Sequence, residues 1–130
     1  EINPGLTSVH YILALMYGKQ EKWDEAQKHL LEVLKNDSDN QKAKKFLAEI
    51  HIEKGQKYFK KEMVDKAIQE FSSAVEANPN LAEVHYILAL IYSKQQQWSE
   101  AQKHLSEILK ADNDNQEAKE LLEEINEISD

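Results

Sequence analysis

Apolar residues recur along this chain at steps of three and four, not two, so the pattern predicts helices from end to end. From Val9 to Gln20 the apolar positions are Val9, Ile12, Leu13, Met16 and Tyr17, and from Asp24 to Lys35 they are Ala26, Leu30, Val33 and Leu34. Only Glu21-Lys22-Trp23 separates the two segments, and so short a connection makes its helices antiparallel neighbours. A second hairpin is predicted from a helix over 41–61, with Ala43, Phe46, Leu47, Ile50 and Tyr58 on one face, and a helix over 65–77, with Ala67, Ile68, Phe71, Ala74 and Val75. Asn78-Pro79 ends it, because proline lacks the N–H a helix needs and biases the preceding residue away from α. A third hairpin ends with a helix over 98–111, and a last helix is predicted over 116–128, with Ala118, Leu121, Leu122 and Ile125 on one side. Asp24 with Gln27, and Ser99 with Gln102, read as capping boxes at the starts of second helices. The clusters DSDN (37–40) and DNDN (112–115) mark turns.

The first and third hairpins are copies. Residues 84–125 align with 9–50 without gaps at a displacement of 75, and 29 of the 42 positions are identical. Differences fall mostly at polar sites or as apolar swaps, such as Met16 against Ile91 and Val33 against Ile108. Such a chain stacks one supersecondary unit on the next, so the copies are read as repeats of one architecture. The alanines that open the second helices are 41 positions apart between Ala26 and Ala67 and 34 apart between Ala67 and Ala101. One long hairpin and one of ordinary length therefore make up the larger period.

A 34-residue helix–turn–helix unit resembles the tetratricopeptide repeat. The resemblance lies in Leu13-Ala14, Tyr17, Ala26, Leu30 and Val33 of the unit at 7–40. It continues in Gly55, Tyr58, Ala67, Phe71, Ala74 and Pro79 of the middle unit, and in Leu88-Ala89, Tyr92, Ala101, Leu105 and Ile108 of the unit at 82–115. Small residues Ala14, Gly55 and Ala89 facing Ala26, Ala67 and Ala101 let helix axes approach to about 8–10 Å. The resemblance implies an all-α fold: a right-handed α-solenoid of three such hairpins with a C-terminal capping helix. The expected organisation is one domain over 1–130, with repeat 1 at 7–40, repeat 2 at 41–81 with its first helix extended by seven residues, repeat 3 at 82–115, and a helix at 116–130. EINPGLTSV (1–9) parallels EANPNLAEV (76–84), so residues 1–6 are read as the tail of a preceding repeat in a longer array. Lys54 occupies a position where the family usually has leucine, and Val9-His10 and Val84-His85 replace a common aromatic.

Composition narrows the chemistry. All sixteen basic residues are lysines and the net charge is −8, so a nucleic-acid partner, which requires clustered cations, is not expected. Eight lysines fall between Lys42 and Lys66 and the tail from Glu117 is acidic, which reads as a solvated polar face or, less simply, as a dock for an acidic partner. No apolar run reaches the roughly 18 residues of a membrane span. Cysteine is absent, which excludes disulfides and thiolate metal sites. No phosphate-binding glycine loop or HExxH helix is present, so no catalytic residue and no cofactor are expected.

Two acidic clusters, Asp37/Asp39/Gln41 and Asp112/Asp114/Gln116, faintly resemble a calcium loop. They lack its turn glycine, and helix caps are the favoured reading. His10 and His29, with copies His85 and His104, approach across a hairpin. Zinc needs further ligands, so local hydrogen bonding is favoured there and no metal site is expected. Asn36-Asp37-Ser38 matches the glycosylation pattern, which matters only on a secretory route.

The family resemblance implies that the first helices line a concave groove. The residues one face away from the packing set are Tyr11, Ile12, Leu15 and Lys19 in the first unit, Ile52, Gln56, Phe59 and Lys60 in the second, and Tyr86, Ile87, Leu90 and Lys94 in the third. VHYILALMY is apolar apart from His10, where an ordinary surface helix has one wet face. Either the long middle helix covers part of this stripe, or the stripe receives an apolar peptide or amphipathic helix. Some members of the family clamp acidic chaperone tails with lysine, asparagine and arginine. The matching positions here, Tyr11, Leu15, Glu53, Glu83 and Ile87, cannot form that clamp. The expected role is a non-enzymatic protein–protein interaction scaffold. The alternatives are a self-associating structural array, or a regulatory repeat region of a larger enzyme.

Overall fold

The computed structural model describes residues 3–129, and among these every regular element is an α-helix. In order they are α1 (Pro4–Lys19), α2 (Trp23–Asn36), α3 (Gln41–Lys60), α4 (Val64–Ala77), α5 (Ala82–Lys94), α6 (Trp98–Ala111) and α7 (Gln116–Ser129). They form two compact units, Glu1–Asn78 and Pro79–Asp130. In the first, α1 packs on α2, α2 on α3, and α3 on α4; in the second, α5 packs on α6 and α6 on α7.

The predicted close-approach residues sit at the helix contacts. Ala14 and Ala26 are fully buried in the first unit with Leu30, Val33, Ala43 and Ile50, and Tyr17 and Trp23 pack around them. Ala89, Ala101, Leu105, Ala118 and Ile125 form the core of the second unit, flanked by Tyr92 and Trp98. In the middle hairpin Gly55 lies against Phe71, where an added Cβ would be 2.8 Å from Cε1. The apolar face read for the last helix is confirmed: Ala118 and Ile125 are buried and Leu121 and Leu122 half-buried.

Each hairpin turns in the same way. Glu21, Glu62 and Gln96 adopt left-handed backbone conformations, with φ of 56°, 60° and 60°. Around the first, Glu21 N–H donates to Gly18 O at 3.0 Å and Lys22 N–H to Tyr17 O at 3.0 Å; Met63 to Tyr58 and Gln97 to Tyr92 repeat the longer bond at 2.9 Å. This is a Schellman closure without its usual glycine. It corrects the capping boxes, because the chain is already helical at Trp23 and Trp98, which leaves Asp24 and Ser99 inside the first turn. The residues at the helix boundaries, Lys22 and Gln97, make no side-chain cap.

Side-chain caps occur instead where α3 and α7 follow their turns, while Leu81 before α5 makes none. Asn40 Oδ1 accepts from Ala43 N–H at 2.9 Å and Asn115 Oδ1 from Ala118 N–H at 3.0 Å, while Asp112 accepts from Asp114 N–H at 3.1 Å. The DSDN and DNDN clusters thus serve the backbone. The copies differ at their entries. Pro79, Asn80 and Leu81 form a turn before α5, whereas Pro4, Gly5 and Leu6 are already helical, with Asn3 Oδ1 accepting from Leu6 N–H at 3.3 Å. Proline suits the first position of a helix, where its missing N–H costs nothing. The reading of residues 1–6 as a repeat tail therefore falls partly on helix, and its first two residues lie outside those described. Asn36 of the glycosylation pattern ends α2, where its amide donates to Glu32 O at 3.0 Å.

Candidate functional site

Ile12, Leu15 and Lys19 are exposed on α1, and Gln56, Phe59 and Lys60 on α3; Tyr11 and Ile52 are half-buried. Ile12 is 55% exposed, Phe59 47% and Leu15 42%, large values for apolar side chains on a packed helix. The extended start of α3 covers only part of the stripe, since Phe46 meets Tyr11 edge to face with centroids 6.3 Å apart. Phe46 also lies over Gly18, where an added Cβ would be 2.8 Å from its Cζ. At the copied positions Ser93 replaces Gly18 and Leu121 replaces Phe46, so the larger helix residue accompanies the smaller covering one.

In the second unit Leu90 is 42% exposed and Lys94 exposed, with Tyr86 and Ile87 half-buried. Tyr86 and Ile87 line a cavity of about 340 Å³ with Ala82, Glu83, Ile108, Asn115 and Glu117. Burial, then the charges of Glu117, Glu124 and Glu120, pushes the Tyr86 phenol above its ordinary range, so it stays a neutral donor at this mouth.

Sequence reasoning missed a second concavity. In the first unit an open cleft of about 670 Å³ is lined by Tyr17, Trp23 and Tyr58 among carboxylates Glu21, Asp24 and Glu25 and lysines Lys22, Lys54, Lys57 and Lys61. Lys54, at the family's leucine position, donates to Asp24 Oδ1 at 2.8 Å and to Gln27 Oε1 at 3.0 Å. The hydrogen bond and then the charge of Lys54 hold the Asp24 carboxyl below the usual range. No sequence signal pointed there, because the cavity forms only when α3 packs beside the α1–α2 turn.

Each hairpin also carries one polar contact between its helices. His10 Nδ1 lies 3.0 Å from His29 Nδ1, His51 Nδ1 2.7 Å from Glu70 Oε1, and His85 Nδ1 3.0 Å from His104 Nδ1. The local hydrogen bonding expected of the first and third pairs is present. His85 Nε2 lies 3.0 Å from Pro79 O, an acceptor only, so Nε2 carries a proton. In the neutral pair His104 Nδ1–H then donates to His85 Nδ1. Tyr17 stacks on His29 and Tyr92 on His104, with centroids 5.5 and 5.8 Å apart. Burial, then the neighbouring His85, pushes the His104 imidazole below its ordinary range. Among the described residues no three His, Asp or Glu side chains converge as a metal cluster, and no helix is long and apolar enough to cross a membrane.

Two models of the tetratricopeptide repeat match this chain, one over residues 12–82 and one over 58–125, each covering more than half of it. The chain belongs to the tetratricopeptide-repeat family. Solved structures with the same fold include the Cut9–Hcn1 hetero-tetramer of the APC/C, which is 24% identical at a TM-score of 0.57 over 92% of this chain and 23% of that one. A tetratricopeptide repeat protein from Parabacteroides merdae is 20% identical at 0.54, over 95% and 47%. The Arabidopsis OM64 TPR domain is 14% identical at 0.53, over 92% and 93%. These similarities establish the fold. No curated protein matches the chain in sequence. The tetratricopeptide hairpin is an interaction fold rather than a catalytic one, and the expected role as a protein-interaction scaffold rests on that membership.

Proposed function

We propose that the first-helix faces receive an apolar peptide or amphipathic helix from a partner protein. The observation that carries this reading is the open apolar set Ile12, Leu15, Phe59 and Leu90, each more than 40% exposed, on the helices that place Tyr11 and Tyr86 half-buried beside them. Aromatic side chains next to open aliphatic ones supply anchoring area at low entropic cost, and the exposed Lys19, Lys60 and Lys94 on the same helices would meet a partner's carboxylates. Burying a few partner side chains at about 1.5–3 kcal/mol each supports micromolar binding after the cost of association. Peptides selected from a random library against the protein provide the ligand for a test. Tyr86→Ala with Leu90→Ala is expected to weaken a selected peptide at least about tenfold; unchanged affinity in the double variant rejects the reading.

One observation favours self-association as a second reading. Val9 and Met16 of α1 are 54% and 53% exposed, while their copies Val84 and Ile91 in α5 are 2% and 6% exposed. A face buried in one copy and open in the other suits contact with a second chain. Sedimentation across a concentration series decides it: Met16→Glu is expected to abolish any dimer, and a wild-type protein monomeric at high concentration removes this reading.

A further inference from the structure

We propose that the lysine-walled cleft of the first unit receives the acidic second half of α7 from another copy of this chain, so that copies associate head to tail. Lys54, Lys57 and Lys61 follow one another at steps of three and four along α3 and its C-cap, which puts them on one wall of the cleft. Lys54 is already engaged by Asp24 and Gln27. Lys57 and Lys61, with Lys22 at the turn, are exposed and make no ion pair among the described residues. With the Lys54–Asp24 pair set aside, the lining keeps these three lysines against the two carboxylates Glu21 and Glu25. That is a local excess of positive charge on a chain whose net charge is −8.

The complement lies on α7, which carries five glutamates and one lysine and has no basic residue in its last turn. Glu123 and Glu127 are exposed and make no hydrogen bond or ion pair among the described residues. They stand one turn apart, the spacing of Lys57 and Lys61, so both ion pairs can form together. Glu127 lies in the last turn, where unpaired carbonyls disfavour an anion, and a cation from outside the helix relieves that repulsion. Ile128, 64% exposed, offers an apolar side chain to the half-buried Trp23 and Tyr58 of the cleft. The duplication shows how open this face is, since exposed Glu123 copies Ala48, which is 1% exposed in α3.

The charges that line the cleft are not copied. Tyr17 and Trp23 return as Tyr92 and Trp98, but Glu21, Lys22 and Asp24 return as the neutral Gln96, Gln97 and Ser99. Each chain thus brings one charged cleft and one acidic helix. A contact between two different surfaces leaves one of each free at the ends of a pair, so association continues past the dimer instead of closing on it. Charge drives this contact, and it uses neither the first-helix faces nor Met16.

Sedimentation of the full chain across a concentration series tests it. At about 0.1 M salt, charges more than about 10 Å apart are screened while contact pairs persist, and the average mass should rise past that of a dimer at millimolar protein. At about 1 M salt, where screening reaches about 3 Å, the mass should fall back toward the monomer. Lys57→Glu with Lys61→Glu, and separately Glu123→Lys with Glu127→Lys, should each weaken association at least about tenfold. Mixing the two variants should restore it, because one contact in the mixture is then native and the other is the same pair with its charges exchanged. All four positions are exposed, and circular dichroism checks that the variants stay helical. Met16→Glu should leave the salt-sensitive association intact, so this contact and one through the apolar face of α1 fail separately. A wild-type chain monomeric at millimolar concentration in about 0.1 M salt, a mass indifferent to salt, or folded variants that do not complement one another would overturn the proposal. The salt series needs no variant, so a misfolded mutant does not protect the idea.

Discussion

A methyl group at Gly55 would meet the Phe71 ring at 2.8 Å, and Phe71, only 2% exposed, has no free space to enter. Alanine favours a helix over glycine by about 1 kcal/mol, but overpacking a tight core costs about 1–3 kcal/mol and should prevail. Gly55→Ala is therefore expected to lower the midpoint of urea unfolding. Gly18→Ala presents the same nominal distance to Phe46, but to the tip of a half-buried ring that can swing outward, so its effect should be near zero or slightly stabilising. His104 supplies a pH dependence at the same scale. Its folded pKa is lowered, chiefly by burial, so as pH falls the unfolded chain takes the proton first, near an ordinary value of about 6.5. Stability from this group is whole above about 6.5 and is lost as pH falls from there through the folded value. Urea unfolding between neutral and mildly acidic pH should show that decline, and His104→Leu should flatten it.

Among the elements, the helices were legible because their apolar spacing survives in every segment, and Ala14, Ala26, Ala67 and Ala101 could be placed at contacts from the repeat motif together with their small size. Their boundaries were less legible. Asp24 and Ser99 look like caps in sequence, yet the left-handed residues Glu21 and Gln96 close the preceding helix so tightly that the N-caps fall two residues earlier, at Lys22 and Gln97. Nothing in the residue types announces that conformation, since glycine, its usual carrier, is absent from all three turns. The same fact yields a prediction. A non-glycine residue in this region costs about 1 kcal/mol, partly offset by the backbone freedom that glycine adds to the unfolded chain. Gln96→Gly is expected to stabilise the protein by up to about 1 kcal/mol, read as a higher denaturation midpoint with unchanged slope; destabilisation would mean that the Gln96 side chain contributes more than its backbone strain. Lys54 was also opaque in sequence, because its partners Asp24 and Gln27 lie 30 and 27 positions away on another helix.

For the whole molecule, the duplication at a displacement of 75 showed that one unit repeats, the 34-residue spacing with its motif residues pointed to the repeat family, and the family matches over 12–82 and 58–125 agree with it. The candidate site was legible to a lesser degree. The twelve positions chosen by helical phase lie on α1, α3 and α5 and none is fully buried, but how far Phe46 would cover Tyr11 depends on the length of α3 and its approach to α1. Family membership gives an interaction scaffold, and the proposal places its binding on the open apolar faces. The most direct measurement is amide hydrogen exchange of the protein with and without a library-selected peptide. Binding as proposed should protect α1, α3 and α5 around Ile12, Phe59 and Leu90 and leave the outward sides of α2, α4 and α6 unchanged. Protection confined to α2, α4 and α6, with the first helices exchanging as in the free protein, would contradict it.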